Sequence, residues 1–365
     1  MARHRVIPFD DTRYFDLANS TNDGQRIIPN TDPKYPAIRR RLIQTFAQTI
    51  LGYLAMGVLC FLALWTFGFS YHFTFGFGLL WLFLPVPMWW FCAKIAIAMT
   101  KSVPADPTNP KHKRVMDCVD RVFAQSGLKF KPPVYASPNP LPNAFATGPI
   151  HRKAVVAFTE GLLDIGLTDA EIEAVFAHEL GHVRNYDVAI NSFLGVLSSL
   201  FFLIVNAGLE LVFGTLAFLG KFTGLARFIP KILKNVLFYG IFWFTSQITK
   251  LVQMFVVRSR ESGADATGAY FTGDPCSLAT ALEKLVAYVS SHRPKPGMKE
   301  EVMYRALRPM MTIDPLYDTL AAEPKSGGIW SRIKGIWNYL MLTHPPASER
   351  IAQLERMNGG ACPRV

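Results

Sequence analysis

The sequence predicts an α+β membrane protein: a mostly helical domain with a small sheet, joined to two to four transmembrane helices. Three observations predict it. Half of the 365 residues are hydrophobic and only 18% are charged, against about 25% in an ordinary soluble domain. Mean hydropathy is positive, at +0.20. The apolar residues are also gathered into long runs, which alternate with stretches rich in helix caps, β-branched residues and proline breakers.

Residues 1–41 form a polar arm of mixed charge with no cleavable signal peptide, so the first apolar segment is expected to act as a signal anchor. Residues 42–99 follow as a transmembrane hairpin. Leu42 to Ala93 contains no Asp, Glu, Lys or Arg, a run of 52 residues, and one span needs roughly 20. Two spans are expected, over 42–67 and 75–99, with a turn around Gly68 to Gly78 and a kink at Pro85 and Pro87. Arg39, Arg40 and Arg41 precede the hairpin, and Lys94 and Lys101 close it. The positive-inside rule therefore places both of its ends in the cytoplasm.

Residues 100–187 read as the first part of a soluble α+β domain. Val115 to Ser126 has helical spacing, while Pro133 to Ala136 and Lys153 to Phe158 read as short strands. Pro138, Pro140, Pro142 and Asn143 break the chain between them. Residues 188–257 form a second apolar pair. Val188 to Leu209 is uncharged and long enough to span, whereas Asn235 to Thr249 is shorter. The loop between them carries Lys221, Arg227, Lys231 and Lys234. The pair therefore reads either as two spans or as a helical hairpin lying in the interface. Residues 258–365 complete the soluble domain, with a flexible joint at Ser326-Gly327-Gly328.

The formal net charge of +11 fits a protein that faces anionic lipid better than a nucleic-acid binder. The cysteines are Cys60, Cys92, Cys118, Cys276 and Cys362, odd in number and without a C-x-x-C pair. They predict neither a disulfide framework nor a cysteine metal site, and a reducing compartment for the soluble part.

The strongest chemical signal is Ala177-His178-Glu179-Leu180-Gly181-His182, an H-E-x-x-H motif. It follows Thr168-Asp169-Ala170-Glu171, which fits a capping box, so the motif sits on a helix. Residues four apart share a helix face, and His178 and His182 can point at one zinc ion. Glu179 is rotated off that line, placed to take a proton from a water that zinc activates. Catalytic zinc needs a third protein ligand and an open position. The candidate is Glu261. Asp265, four residues on, can accept a hydrogen bond from the free ring nitrogen of a ligand histidine. The plainer reading of this stretch is a surface ion pair with Arg258 and Arg260.

Taken together, these residues resemble the HtpX-type membrane metallopeptidases, relatives of the CAAX prenyl proteases within the gluzincins. The matching pieces are Asn143 to Gly148, His178 to Asp187 (HELGHVRNYD), Glu261 to Ala269 (ESGADATGA), Ala281 to Leu285, and Thr343-His344-Pro345-Pro346 with Arg350. The resemblance covers roughly residues 40 to 357. It implies a zincin-type domain with one zinc ion per chain, Glu261 as third ligand and Asp265 as its partner. It further implies that Asn143, Ala144, Phe145 and Ala146 form an edge strand pairing with substrate backbone. The resemblance implies that His344 stabilises an oxyanion or caps the zinc and that Arg350 orients the site by ion pairing. Ser262-Gly263 departs from the family's usual aromatic after the third-ligand Glu, and the N-terminal arm is long for the family.

The expected function is a zinc-dependent endopeptidase that cleaves damaged or misassembled membrane proteins for quality control. The resemblance implies a bacterial inner membrane, with the active site on the cytoplasmic side. Its partners are then protein or peptide substrates and the lipid bilayer, with no nucleic acid. The alternatives are a prenyl-protein processing protease, which should carry more spans, and a non-catalytic membrane scaffold or chaperone, which has no use for Glu179.

Overall fold

The computed structural model describes residues 70–193, 195–196, 257, 260–292 and 344–363, with isolated positions among residues 51–65 and at 240. The polar arm, most of the first expected span, most of the second apolar pair and the Ser326-Gly327-Gly328 joint lie outside the described residues. Those described fall into two compact units. One contains Phe91–Ser192 with the described residues from Val257 onward; the other contains the described residues up to Trp90 and those from Phe193.

The second expected span becomes three successive helices, α1 (Tyr71–Phe83), α2 (Pro85–Trp90) and α3 (Cys92–Met99). The breaks fall at Leu84 and Phe91; at the first, Pro85 and Pro87 remove backbone donors and crowd the preceding turn. The expected turn at Gly68 to Gly78 is corrected from residue 71 onward. Gly76 and Gly78 lie inside α1, in a segment whose large apolar side chains outweigh two glycines. Among the described residues no helix is long and apolar enough to cross a membrane. The helices nevertheless leave large apolar side chains in the open, among them Tyr71, Phe75, Phe83, Trp90 and Ile95.

In the other unit, Asn109 caps α4 (Pro110–Ser126) by accepting from Lys111 N, and Gly127 ends it at φ +66. Val115, Cys118, Val119 and Val122 recur at helical spacing and are buried. A four-stranded sheet follows in the order β1-β2-β4-β3, from β1 (Val103–Pro104), β2 (Val134–Ser137), β3 (Ala144–Thr147) and β4 (Val155–Thr159). β2 and β4 are parallel; β1 pairs antiparallel with β2, and β3 with β4. The two strands expected from composition are β2 and β4, and the proline cluster between β2 and β3 is the break. Every residue of β4 is buried because both faces are covered. Ala157 packs with Phe145 and Ala96 of α3, while Val156 and Phe158 enter the main core with α4.

After α5 (Glu160–Asp164) comes α6 (Asp169–Arg184), the central helix. Thr168 Oγ1 accepts from Glu171 N at 3.3 Å, and Glu171 Oε2 accepts from Thr168 N at 2.7 Å, which is the capping box. Ile172, Val175, Phe176 and Leu180 of α6 meet Leu278, Leu282 and Leu285 of α7 (Pro275–Ser291) and Leu354 of α8 (Ala347–Asn358) in the core.

Glu171 also ties α6 to α7, since Lys284 Nζ lies 2.8 Å from its Oε2. Burial pushes its carboxyl up, but the Lys284 bond and the Thr168 N–H outweigh that and hold it below the ordinary value. A carboxylate with a depressed folded pKa stabilises above the unfolded pKa, and that stability is lost as pH falls through the folded value. The tie therefore acts at neutral pH and fades below about pH 4. Glu171→Gln is expected to cost about 1–2 kcal/mol at pH 7, with the gap to wild type closing near pH 3 in denaturant titrations.

The cysteine expectation is corrected. Cys276 and Cys362 form a disulfide with Cα atoms 5.3 Å apart. Their separation of 86 residues carries no local spacing signal. They meet because α7 and α8 pack together, which sets the first turn of α7 beside the chain leaving α8. The reducing-compartment expectation loses its basis with this bond. Cys118 is a buried thiol, which burial pushes up to about 11.

Candidate metal centre

The site forms where α6 is crossed by the helical stretch 260–272. His178 and His182 lie one turn apart on α6 and are both buried. Small residues let the second helix come close. A methyl group on Gly268 would stand 2.9 Å from His178 N, and one on Gly181 would stand 3.1 Å from the carbonyl oxygen of Ala264. Only bare backbone fits at Gly268, where the contact is with main chain. Asn185 Nδ2 donates to Thr267 Oγ1 at 3.1 Å and pins the end of α6 to the same helix. This close crossing brings Glu261 to the two histidines.

One ligand atom from each of His178, His182 and Glu261 lies within 4.8 Å of the other two. His182 Nε2 stands 3.2 Å from His178 Nε2 and 3.3 Å from Glu261 Oε1. The opposite ring nitrogens are occupied. His178 Nδ1 lies 2.8 Å from Asp265 Oδ1, and His182 Nδ1 lies 3.1 Å from Asp187 Oδ2. A carboxylate only accepts, so each Nδ1 carries the proton and each Nε2 presents a lone pair. His178 Nε2 also stands 3.6 Å from Glu261 Oε2, so the two Nε2 atoms and the carboxylate converge on one point that a cation can occupy.

The charge count agrees with that. Glu179, Asp187, Glu261 and Asp265 are buried carboxylates, set against the guanidinium groups of Arg260 and Arg350. This concentration of buried carboxylates is an environment suited to a divalent ion. Glu261 Oε2 is buried and accepts no hydrogen bond among the described residues. Burial pushes the Glu261 carboxyl up, but His344, His182 and Arg350 pull it far below the usual range. Burial likewise pulls down the His182 imidazole, but Asp187 and Glu261 raise it well above the ordinary value. Both directions describe an anionic cage. Two imidazoles and a carboxylate are the donor set that zinc takes in catalytic sites.

The remaining expected residues are placed as follows. Glu179 is buried on α6. His344 is buried, with Nε2 at 3.5 Å from Glu261 Oε1. Arg350 donates from Nε and Nη2 to both oxygens of Asp265, at 2.9 and 2.6 Å. At the end of β4, Asn143 N donates to Thr159 Oγ1 at 2.8 Å and Asn143 O accepts from Thr159 N at 3.0 Å. Ala144, Phe145 and Ala146 lie in β3, which pairs with β4 alone among the described residues and packs against α6.

Two members of the cluster carry no role in the sequence reading. Asp187 sits five residues past His182, beyond the end of α6, and reaches back because Tyr186 adopts φ +63. Arg260 Nε stands 3.2 Å from Asp187 Oδ1. The only signal in the sequence was the closing Asp of HELGHVRNYD. Asp187→Asn removes the charge that orients His182 and is expected to weaken zinc binding about 10- to 100-fold. Competition against a fluorescent chelator measures it directly.

Comparison with known proteins agrees with the geometry. A family profile described as Peptidase family M48 matches residues 109–358. The chain is 33% identical to a protease HtpX homolog of Persephonella marina, over 74% of this chain and 82% of that one. It is 31% identical to one of Campylobacter concisus, with the same coverage. A third, from Syntrophobacter fumaroxidans, is 33% identical over 76% of this chain and 86% of its own length. The matched span contains every residue of the buried cluster, and the chain belongs to peptidase family M48, as a zinc metalloprotease acting on protein or peptide substrates.

Proposed function

We propose that this metalloprotease is an integral-membrane endopeptidase that cleaves membrane or misfolded proteins for quality control. His178, His182 and Glu261 are its zinc ligands, and Glu179 is its general base. The buried His178–His182–Glu261 cluster, with Glu179 on the same helical turn, carries the reading. Zinc supplies Lewis acidity, activating water and polarising the scissile carbonyl. Glu179 takes the proton from the attacking water and passes it to the leaving amine. Asp265 and Asp187 hold the two imidazoles in the tautomer that faces the metal. Arg350 fixes Asp265, and His344 stands where it can donate to a developing oxyanion. The edge strand Asn143 to Ala146 aligns substrate by main-chain pairing.

Membrane placement is supported by the uncharged runs at 42–93 and 188–209 and by the exposed apolar side chains of α1, α2 and α3. In this reading residues 42–99 and 188–257 anchor the chain, and 100–187 with 258–365 form the peptidase domain. The flanking basic residues support the cytoplasmic side for that domain, and the resemblance supports a bacterial inner membrane. The Cys276–Cys362 bond argues for the opposite side, since cytosolic thiols are kept reduced. A membrane-impermeant reagent attached to a cysteine placed on exposed Lys113 in intact cells decides the side.

The function itself is tested with protein purified in detergent, by zinc content and by cleavage of casein and of a membrane-protein substrate. One zinc per chain, with cleavage lost on chelation and regained on adding zinc, is the expected result. Bound zinc with neither substrate cut moves the reading to a membrane scaffold or chaperone. Cleavage confined to prenylated peptides moves it to a processing protease.

A further inference from the structure

Three loops meet at one end of the peptidase domain: the turn after α4, the turn between β3 and β4, and the residues after α6. Arg184 Nη1 donates to Ser126 O at 3.0 Å and ties the ends of α6 and α4. Leu128 packs with Ala154, Val183 and Val188 beneath the surface. The Arg152 guanidinium lies 4.8 Å over the Phe130 ring, and the His151 ring lies 3.6 Å from that of Tyr186. The loops therefore form one built surface.

That surface is unusual in what it exposes. Phe130 is 46% exposed, Tyr186 46% and Ile150 37%. Lys129, Arg152 and Lys153 are exposed among them. Lys131, beside them, is paired with Asp120. Bulky apolar and aromatic tips surrounded by basic side chains are what an anionic headgroup layer accommodates, with rings at the interface and cations on lipid phosphates.

The location points the same way. Ser192 Oγ lies 3.2 Å from Thr147 Oγ1 and 3.4 Å from Gly148 N, and the buried Cys92 thiol lies beside Ser192 and Thr147. Both places where the chain leaves the domain, near Phe91 and Ser192, thus lie at the end of β3 that leads into the 150–153 turn. Tyr186 stands just ahead of the uncharged run from Val188.

We propose that the surface formed by Phe130, Ile150, Tyr186, Lys129, Arg152 and Lys153 docks the peptidase domain onto an anionic bilayer. The proposal rests on the membrane-embedded reading and adds a second attachment to it.

The test places a nitroxide on a cysteine at position 130 of the full chain, with Cys60 replaced by serine. A second protein carries the label at position 111, at the far end of α4, about 22 Å away along the helix. Both are reconstituted in liposomes of phosphatidylethanolamine and phosphatidylglycerol. The label at 130 is expected to collide more with oxygen and less with a water-soluble nickel chelate than the label at 111. Lys129→Gln and Arg152→Gln should each lower the docked population about fivefold. Pure phosphatidylcholine should lower it as well. A label at 130 as open to nickel as that at 111 in anionic liposomes overturns the proposal. So does shielding that follows protein density and ignores lipid charge, which would assign the surface to contacts between chains. Carbonate extraction of a separate aliquot reads membrane embedding on its own. Release there sinks the embedded reading, while the depth measurement on untreated liposomes still decides the surface.

Discussion

Replacing Glu179 by glutamine is expected to lower kcat by about 10²- to 10⁴-fold, while zinc stays at one ion per chain. The two readouts separate because of where Glu179 stands. It lies one residue past His178, on the helix that carries both imidazoles, and is as deeply buried as they are. Glutamine keeps its size and polarity but cannot take a proton. The ligand set His178, His182 and Glu261 is untouched, as are the Asp265 and Asp187 contacts that aim the imidazoles. A kcat loss with unchanged KM would locate the effect in the chemical step. Substituting His182 by alanine should instead remove zinc and activity together. A Glu179→Gln protein that cleaves casein at the wild-type rate would remove Glu179 from the mechanism and turn attention to His344.

What could be read from the chain follows how local each signal is. The helix under H-E-x-x-H was legible because Thr168 and Glu171 announce its start three residues apart. Glu261 and Asp265 were legible because four-residue spacing on a helix implies one face. The partners formed by tertiary packing were not. Asp187 reaches His182 only because the chain turns back at Tyr186. The need for glycine at 268 appears only once His178 N is seen to occupy the space a methyl would take. Cys276 and Cys362 look unpaired until α7 and α8 are packed side by side. The start of the helix at Tyr71, four residues ahead of the expected span, was misjudged for a different reason, because clustered glycines were weighed as a turn although the flanking apolar residues favour a helix.

Arg350 carries the second large effect, this time on stability. Its side chain is among the largest fully buried ones. The guanidinium grips both oxygens of Asp265, and Nη1 stands 3.4 Å from Glu261 Oε2. Burial pushes the Asp265 carboxyl up, and Arg350 with His178 holds it below the usual range. Arg350→Met keeps much of the volume but strands Asp265 and Glu261 in a low-dielectric interior. Breaking a buried pair this way costs about 3–5 kcal/mol. Arg350→Lys should cost less, because it keeps the charge and loses only the two-pronged geometry. Bound zinc adds positive charge at the same cluster, so it should stabilise Arg350→Met more than wild type in ligand-linked melts. Zinc-free Arg350→Met is therefore expected to melt far below zinc-free wild type, and saturating zinc should narrow that gap. A gap that zinc leaves unchanged would mean Arg350 acts by packing alone, and no gap at all would mean the carboxylates are neutral without it.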